Sequence, residues 1–290
     1  MPAVFVLIWS TGFIVARYGM PHAPPLGFLS LRYALSVLVF LVWVAFSRPT
    51  WPRGATQWLH LAVTGMLIHA GYLGGVWAAV KAGLSAGTVA LVVGLQPVLT
   101  ALWVSWTGQE QRVRPVQWLG LLLGLSGLLL VVWRKLGAGE VTGGNLMLAV
   151  FALVSITVGT LYQKRFVRSN DVRTATLVQL VAALAVTAPL ALLEDEPMRW
   201  HPELVGALAW SVLCLTLGGS SLLFLLIQRG AATRVTSLLY LVPPCTALQA
   251  WWLFGEALSA PVLAGLALTA IGVALVVREP AATSSAPAGP

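Results

Sequence analysis

The sequence contains few charged residues. Only 9% of its 290 residues are Asp, Glu, Lys or Arg, whereas 58% are hydrophobic. A soluble domain carries about 25% charged residues, so this chain has too few to cover a surface that faces water. Lipid must be the solvent for most of its exterior, and the composition therefore predicts an integral membrane protein.

Motifs for catalysis and for nucleotide or metal binding are also missing. The glycine-rich stretches lie inside apolar runs and do not end in Gly-Lys-Ser/Thr, so we expect no ATP hydrolysis. The two cysteines, Cys214 and Cys245, have no metal-ligand spacing. No Ser/His/Asp set suggests a hydrolase. We therefore expect no enzyme activity, no cofactor and no metal site.

The net charge of +8 does not indicate a nucleic-acid partner, because the basic residues lie in short gaps between apolar runs and orient the chain in the membrane. A cytoplasmic N-terminus puts most of the 17 Lys and Arg residues on the cytoplasmic side. They are Arg48, Arg53, Arg112, Arg114, Lys164, Arg165, Arg168, Arg173, Arg229, Arg234 and Arg278. The loop 194–203 is acidic and falls outside. We therefore predict that both termini lie in the cytoplasm.

Apolar runs long enough for membrane helices, about 20 residues each, recur along the whole chain. They are 3–19, 27–47, 54–80, 82–109, 115–133, 141–163, 174–193, 204–228, 235–255 and 257–277. Segments such as Leu119 to Val132 are apolar on every face, unlike the strands of a membrane barrel. The predicted fold is all-α, with about ten transmembrane helices. Residues 280–290, rich in Ala, Pro and Ser, are expected to form a disordered tail.

An internal repeat relates the two halves of the chain. Pro97 precedes Glu110 by thirteen residues, and Pro243 precedes Glu256 by the same thirteen. Glycines seven residues apart follow in both halves, at Gly120 and Gly127 and at Gly265 and Gly272. A shift of about 146 residues aligns these features, and a similar shift places Arg32 on Gln179 and Trp9-Ser10 on Ile156-Thr157.

Chance also produces such matches, because Gly and Pro are common in membrane helices. The shared order and spacing favour a true repeat, with residues 1–135 and 141–278 as its two units. Each unit contains five spans, an odd number, so the second unit must enter the membrane in the opposite sense. Inverted repeats are typical of secondary transporters, whose substrate site lies near the midplane between the repeats.

The motifs resemble those of the drug/metabolite transporter superfamily in its ten-helix EamA-type form. The matching residues are Trp9-Ser10-Thr11-Gly12-Phe13, Leu31-Arg32-Tyr33, Leu95-x-Pro97 with Glu110, the glycine-rich fifth span, and the second copy around Pro243 and Glu256. The resemblance implies two inverted five-helix repeats, with helices one, three, four, six, eight and nine around a central cavity. It also implies transport of small polar metabolites, and many bacterial members export amino acids. Tyr72 and Trp77 in span three resemble the aromatic amino-acid exporters.

His69 and Tyr72 are the leading candidates for substrate binding. His69 lies in the middle of span three, and an ionisable residue at that depth suggests function. Tyr72 is three residues on and shares its helix face. The alternative is a histidine that is hydrogen-bonded between helices without any role in binding.

Proline residues interrupt two other predicted helices. These prolines are Pro97, directly after Gln96, and the pair Pro243-Pro244, about one turn after Tyr240. Each proline removes a backbone hydrogen bond. Freed carbonyl groups bind a polar ligand or permit bending. We expect Gln96 and Tyr240 to contact substrate and the three prolines to act as hinges, with binding and bending both left open.

Three further residues complete the predicted binding set. Trp9 and Tyr162 combine flat apolar area with a hydrogen-bond donor, which suits an amino acid. Ser220 in span eight is polar, although serine in membrane helices often serves close packing instead.

The predicted function is a secondary carrier that exports amino acids by alternating access, with other metabolites or drugs as alternative substrates. Its predicted partners are the substrate and the bilayer, and we expect a monomer or a loose dimer. No Asp or Glu lies in the middle of a span, so transport is either facilitated, which we favour, or coupled to protons through His69. The alternatives from other classes are a membrane-embedded enzyme, with the acidic loop and His201 as its site, and a channel.

Overall fold

The computed structural model describes residues 2–106, 115–137, 139–167, 170–219, 222 and 241–277. All regular secondary structure in these ranges is helical, which confirms the predicted fold class. The helices are α1 Pro2–Gly19, α2 Pro25–Ser47, α3 Ala55–Lys81, α4 Ala86–Val93, α5 Gln96–Trp106, α6 Pro115–Gly137, α7 Gly143–Phe166, α8 Val172–Ala191, α9 Pro202–Gly218, α10 Val242–Phe254 and α11 Ala260–Val277. Six described stretches are long and apolar enough to cross a membrane, and α1, α9 and α11 contain shorter apolar helices.

Local side-chain caps set the start of several helices. At α7 the Thr142 hydroxyl accepts a hydrogen bond from the Asn145 backbone, and the Asn145 side chain accepts one from Thr142 N. At α8 the Asp171 carboxylate accepts from Arg173 N at 3.0 Å. Hydrogen bonds from the Arg173 side chain and backbone hold the pKa of the Asp171 carboxyl below its usual value. These caps explain why α7 and α8 begin at positions that hydrophobicity alone placed only to within two residues.

The fourth predicted span differs from a continuous helix over 82–109. Residues 82–85 form a turn in which Gly83 has a φ of 93°, a left-handed conformation suited to glycine. The helix then breaks again at residues 94–95, so that the span consists of α4 and α5. Pro97 lies in the first turn of α5, where its missing N–H removes no helix hydrogen bond.

Two glycine-rich helices cross in close contact. A Cβ atom added to Gly127 of α6 would clash with the carbonyl oxygen of Gly265 in α11, and one added to Gly272 would clash with that of Gly120. The Thr269 hydroxyl donates to Gly265 O at 2.9 Å within its own helix. Small residues thus let the two backbones pack directly, as is common between membrane helices.

The remaining core joins the two halves of the sequence. Helix α2 packs against α8, α3 packs against α7 and α8, and α1 packs against α10. Large side chains such as Trp77, Tyr33 and Phe28 are fully buried between helices. Residues of the predicted first unit therefore contact residues of the second throughout the bundle.

Candidate functional site

Two helices contain a π-helical segment at corresponding places. The segments are Met66–Leu73 within α3 and Ser211–Gly218 within α9. A π-helical segment widens the helix and leaves carbonyl groups less regularly paired, and such segments occur often at functional sites. The first packs against α7 and α8, and the second against α1 and α2, so both lie inside the bundle.

A buried arginine reaches the second π-helical segment. Arg32 of α2 is only 7% exposed, and it is the one charged residue among the buried polar side chains of the described ranges. Its Nη2 donates to the Thr216 hydroxyl at 3.2 Å. Its Nε is buried without a hydrogen-bond acceptor in the described part of the chain. Within the described residues, the guanidinium is thus held inside the protein with Nε unpaired and one hydrogen bond from Nη2.

A second pair lies at the first π-helical segment. The Gln179 side chain of α8 lies within hydrogen-bonding reach of the His69 imidazole. Gln179 follows Arg32 by 147 residues, and Thr216 follows His69 by 147 residues. The first pair joins span two to span eight, and the second pair joins span seven to span three. The two pairs therefore occupy matching places in the two halves.

Two tyrosines lie beside these pairs. The Tyr33 hydroxyl donates to the His69 carbonyl oxygen at 2.7 Å. Tyr33 and Tyr72 lie close enough to the Arg32 guanidinium to interact with it electrostatically, and both are almost fully buried. We refer to Arg32, Tyr33, His69, Tyr72, Gln179 and Thr216 as the polar cluster. At a rise of about 1.5 Å per residue, His69 lies roughly 20 Å from either end of α3, which places the cluster at membrane depth.

Of the other predicted binding residues, Gln96 and Tyr162 form hydrogen bonds with residues outside the polar cluster. The Gln96 side chain donates to the Thr160 hydroxyl of α7 at 3.1 Å. The Tyr162 hydroxyl pairs with His60 Nδ1 at 2.8 Å, near the ends of α7 and α3. Trp9 of α1 is 36% exposed. Ser220 and Tyr240 lie outside the described residues, as does Glu110.

The predicted hinge prolines lie at helix breaks that meet. Pro243 and Pro244 occupy the first turn of α10. A Cβ atom added to Gly94, at the break between α4 and α5, would come within 2.6 Å of the Pro243 ring. The interruption in span four therefore packs directly against the proline-marked start of α10.

The acidic loop, residues 194–203, binds the first half of the chain. The Glu194 carboxylate accepts hydrogen bonds from Leu26 N at 3.0 Å and Gly27 N at 2.8 Å, in the first turn of α2. A negative charge at this position also interacts favourably with the helix dipole. The Lys81 ammonium pairs with Glu196 at 2.7 Å. Both contacts tie the start of α2 and the end of α3 to the segment between α8 and α9.

Two histidines and a glutamate meet at the same end of the bundle. His22 Nε2 lies 2.8 Å from Glu203 Oε2, and His201 Nδ1 lies 3.8 Å from it. The two imidazoles stack with ring centroids 4.4 Å apart and an interplanar angle of 11°. Nearly parallel rings cannot both aim an in-plane lone pair at one ion without turning. These three residues therefore serve, in this arrangement, as a contact between the turn that follows α1 and the start of α9.

A cavity of about 320 Å³ lies between α1 and α9 near the acidic loop. Its lining is Thr11, Ile14, Val15, Tyr18, Glu203, Gly206, Ala207 and Trp210. Trp210 Nε1 donates to the Thr11 hydroxyl at 2.9 Å across it. The cavity is large enough for a small metabolite, and it is lined by parts of the first and eighth spans, two of the helices expected around a central cavity.

Sequence reasoning missed the two residues that join Arg32 and His69 to the opposite half. The repeat aligns Gln179 with Arg32 but gives it no role in binding, and Thr216 is a single polar residue in an apolar helix. Arg32 was recognised as part of a motif but was not assigned to binding. Its position inside an apolar run was the available signal, because an unpaired charge at that depth is costly.

Comparison with known proteins agrees with this architecture. The model of the EamA-like transporter family matches residues 3–133 and again residues 144–278. A transporter of Bacillus subtilis, named uncharacterized transporter YvbV, is 25% identical over 99% of this chain and 93% of its own length. The "Probable amino-acid metabolite efflux pump" of Salmonella typhimurium is 25% identical over 92% of this chain and 90% of its own.

Two further likenesses cover nearly the whole chain. The "Uncharacterized inner membrane transporter YedA" of Escherichia coli is 26% identical over 94% of this chain and 89% of its own length. A solved crystal structure is similar with a TM-score of 0.66 and 21% identity, over 94% of both chains, which is evidence for the fold alone. Since the family model matches most of the sequence, in two stretches, this chain belongs to the EamA-like transporter family.

Proposed function

We propose that the protein is a secondary carrier that exports amino acids or similar small polar metabolites by alternating access. The observation that carries this proposal is the polar cluster. It lies at membrane depth and combines side chains from both halves of the chain. Three of its residues, His69, Tyr72 and Thr216, belong to the π-helical segments of α3 and α9. A binding site between two halves is what a carrier needs in order to expose one site to either side of the membrane.

We further propose that residues 1–135 and 141–278 are the two units of an inverted repeat. The family model matches two successive stretches with nearly these bounds. The contacts are also reciprocal. Arg32 bonds Thr216, while Gln179 approaches His69, and these four residues correspond at one common shift of the sequence. Gly127 meets Gly265 just as Gly272 meets Gly120. Reciprocal contacts are expected when a two-fold axis relates two units.

Contacts of the acidic loop support a rocking motion. They join the halves through ion pairs and hydrogen bonds between partly exposed groups, such as Lys81 with Glu196 and His22 with Glu203. Exposed ion pairs contribute only about 0 to 1 kcal/mol each, because water replaces their partners at small cost. These ion pairs of the acidic loop can therefore separate from the first half at small cost.

The charges support the proposed orientation, and one of the relatives supports the proposed direction and substrate. The distribution of Lys and Arg favours both termini in the cytoplasm of a bacterial inner membrane, so the acidic loop faces outward. One relative is named as an efflux pump for amino-acid metabolites. His69, Tyr72 and Arg32 offer hydrogen bonds and aromatic surface suited to an amino acid. We favour facilitated movement, since the described membrane helices contain no buried carboxylate that could relay protons.

Reconstitution into proteoliposomes tests the proposal. Vesicles that contain the purified protein should take up at least one of the twenty amino acids with saturable kinetics, several-fold faster than protein-free vesicles. Saturation is expected because a carrier has a finite number of binding sites. An absence of flux for all twenty would contradict amino-acid transport, and flux that rises linearly with concentration would contradict a carrier.

A further inference from the structure

Arg32 is a buried cation without a buried anion. The described acids lie at the ends of the helices, and their partners are surface groups or helix termini, as for Glu194 at α2 and Glu196 at Lys81. The sequence also places no acid in the middle of a span. A charge inside a membrane protein is costly unless another group compensates it. The protein therefore keeps an uncompensated positive charge next to the two π-helical segments.

The guanidinium has hydrogen-bonding capacity to spare. Arginine carries five N–H donors in a planar fork. Thr216 accepts from Nη2, while Nε has no acceptor in the described part of the chain. Two hydroxyl groups on the same helices, Ser36 of α2 and Ser211 of α9, are likewise buried without hydrogen-bond partners there. Unsatisfied buried polar groups are rare in proteins and call for an explanation.

The surroundings of Arg32 suit one kind of ligand. A carboxylate presents two oxygens that match the guanidinium fork, and it supplies the missing charge. Ser36 lies one turn from Arg32 on α2, and Ser211 lies on the facing helix α9, which packs against α2. Tyr33 and Tyr72 lie close enough to the guanidinium to interact with it electrostatically, and both are buried, so the polar cluster also contains aromatic side chains.

We infer that Arg32 binds the carboxylate of the transported molecule, and that the carrier selects small carboxylate-bearing substrates over their uncharged analogues. The statement that this molecule is transported rests on the proposed function, whereas its binding to Arg32 does not require transport. Thr216 is a positioning residue in this account, because it holds the guanidinium through Nη2 and leaves Nε free.

Binding to the purified protein in detergent tests the inference. The probes are L-phenylalanine, L-alanine and their amides, in which a neutral carboxamide replaces the carboxylate, and sodium chloride at equal ionic strength controls for general anion binding. The wild type should bind at least one acid about tenfold more tightly than its amide. In Arg32→Gln the preference should fall to twofold or less. Arg32→Lys, which keeps the charge but loses the fork, should retain part of it.

Matched variants and flux separate the possible outcomes. Thr216→Val removes the residue that positions the guanidinium but keeps the charge, so it should lower the preference for the acid less than Arg32→Gln does. Thr64→Val, whose hydroxyl donates to the His60 carbonyl oxygen, lies outside the polar cluster and should leave the preference unchanged. Size-exclusion profiles and thermal unfolding establish that each variant is folded. If Arg32→Gln does not fold, the wild-type preference and its partial retention in Arg32→Lys decide the matter.

Three results would overturn the inference: equal binding of acid and amide by the wild type, an unchanged preference in Arg32→Gln, or competition by chloride as strong as that by the acid. Flux identifies which proposal fails. Saturable transport of a substrate without a carboxylate contradicts the role of Arg32 but leaves the carrier intact. Arg32-dependent binding of acids without any flux supports that role and contradicts the carrier.

Discussion

A reversible crosslink between the α1–α2 turn and the acidic loop should abolish transport. In a variant with Cys214→Ala and Cys245→Ala, we would introduce His22→Cys and Glu203→Cys, whose native side chains lie 2.8 Å apart across the two halves. A short bifunctional thiol reagent then fixes the separation of the halves at this face. If the face must open in each cycle, the protein-dependent part of the flux falls at least tenfold, and a reductant restores it.

A crosslink within the first half provides the control. Ser85 and Lys135 also contact each other, with Lys135 Nζ 2.5 Å from the Ser85 hydroxyl, and both belong to residues 1–135. Ser85→Cys with Lys135→Cys, crosslinked by the same reagent, should keep flux within twofold of the uncrosslinked protein. Full flux in a completely crosslinked His22→Cys, Glu203→Cys protein would contradict alternating access at this face.

Truncation of the polar cluster should have the second largest effect. We expect His69→Ala and Tyr72→Ala each to lower the ratio of maximal flux to half-saturating concentration about tenfold or more. A tenfold loss corresponds to about 1.4 kcal/mol, within the range for removal of one partner from a buried hydrogen bond. The measurement is initial flux against substrate concentration in proteoliposomes with equal amounts of protein.

Thr64→Val is the matched control for the cluster variants. Thr64 is fully buried in the same helix α3, and its hydroxyl donates only to the carbonyl of His60 one turn earlier. Its flux should stay within twofold of the wild type, since no side chain of the polar cluster loses a partner. Normal flux in both His69→Ala and Tyr72→Ala would remove α3 from the binding site.

Much of the fold could be predicted from sequence, because the membrane imposes simple requirements. A run of about 20 apolar residues in lipid must satisfy its backbone internally, and a helix does so. Runs such as 27–47 and 115–133 therefore correspond closely to α2 and α6. The family resemblance, drawn from short motifs in a fixed order, is confirmed by the match to residues 3–133 and 144–278.

The details that shape the site could not be predicted, because they depend on packing between distant segments. The break at residues 94–95 and the π-helical segments of α3 and α9 have no signature in hydrophobicity. His22 and Glu203 lie 181 residues apart in sequence, and Arg32 and Thr216 lie 184 residues apart. The position of His69 in an apolar run predicts that it lies at membrane depth. Its proximity to Gln179 could not be predicted, because it depends on the packing of α3 against α8.

Counterflow tests the central claim, that this protein is a carrier, most directly. Proteoliposomes are loaded with an unlabelled amino acid that supports saturable flux, diluted into buffer, and given a trace of the labelled form outside. A carrier changes between its two conformations faster with substrate bound than without it. Labelled amino acid should therefore accumulate transiently above its external concentration in loaded vesicles and not in empty ones. Uptake that is the same in loaded and empty vesicles would contradict alternating access and favour a channel.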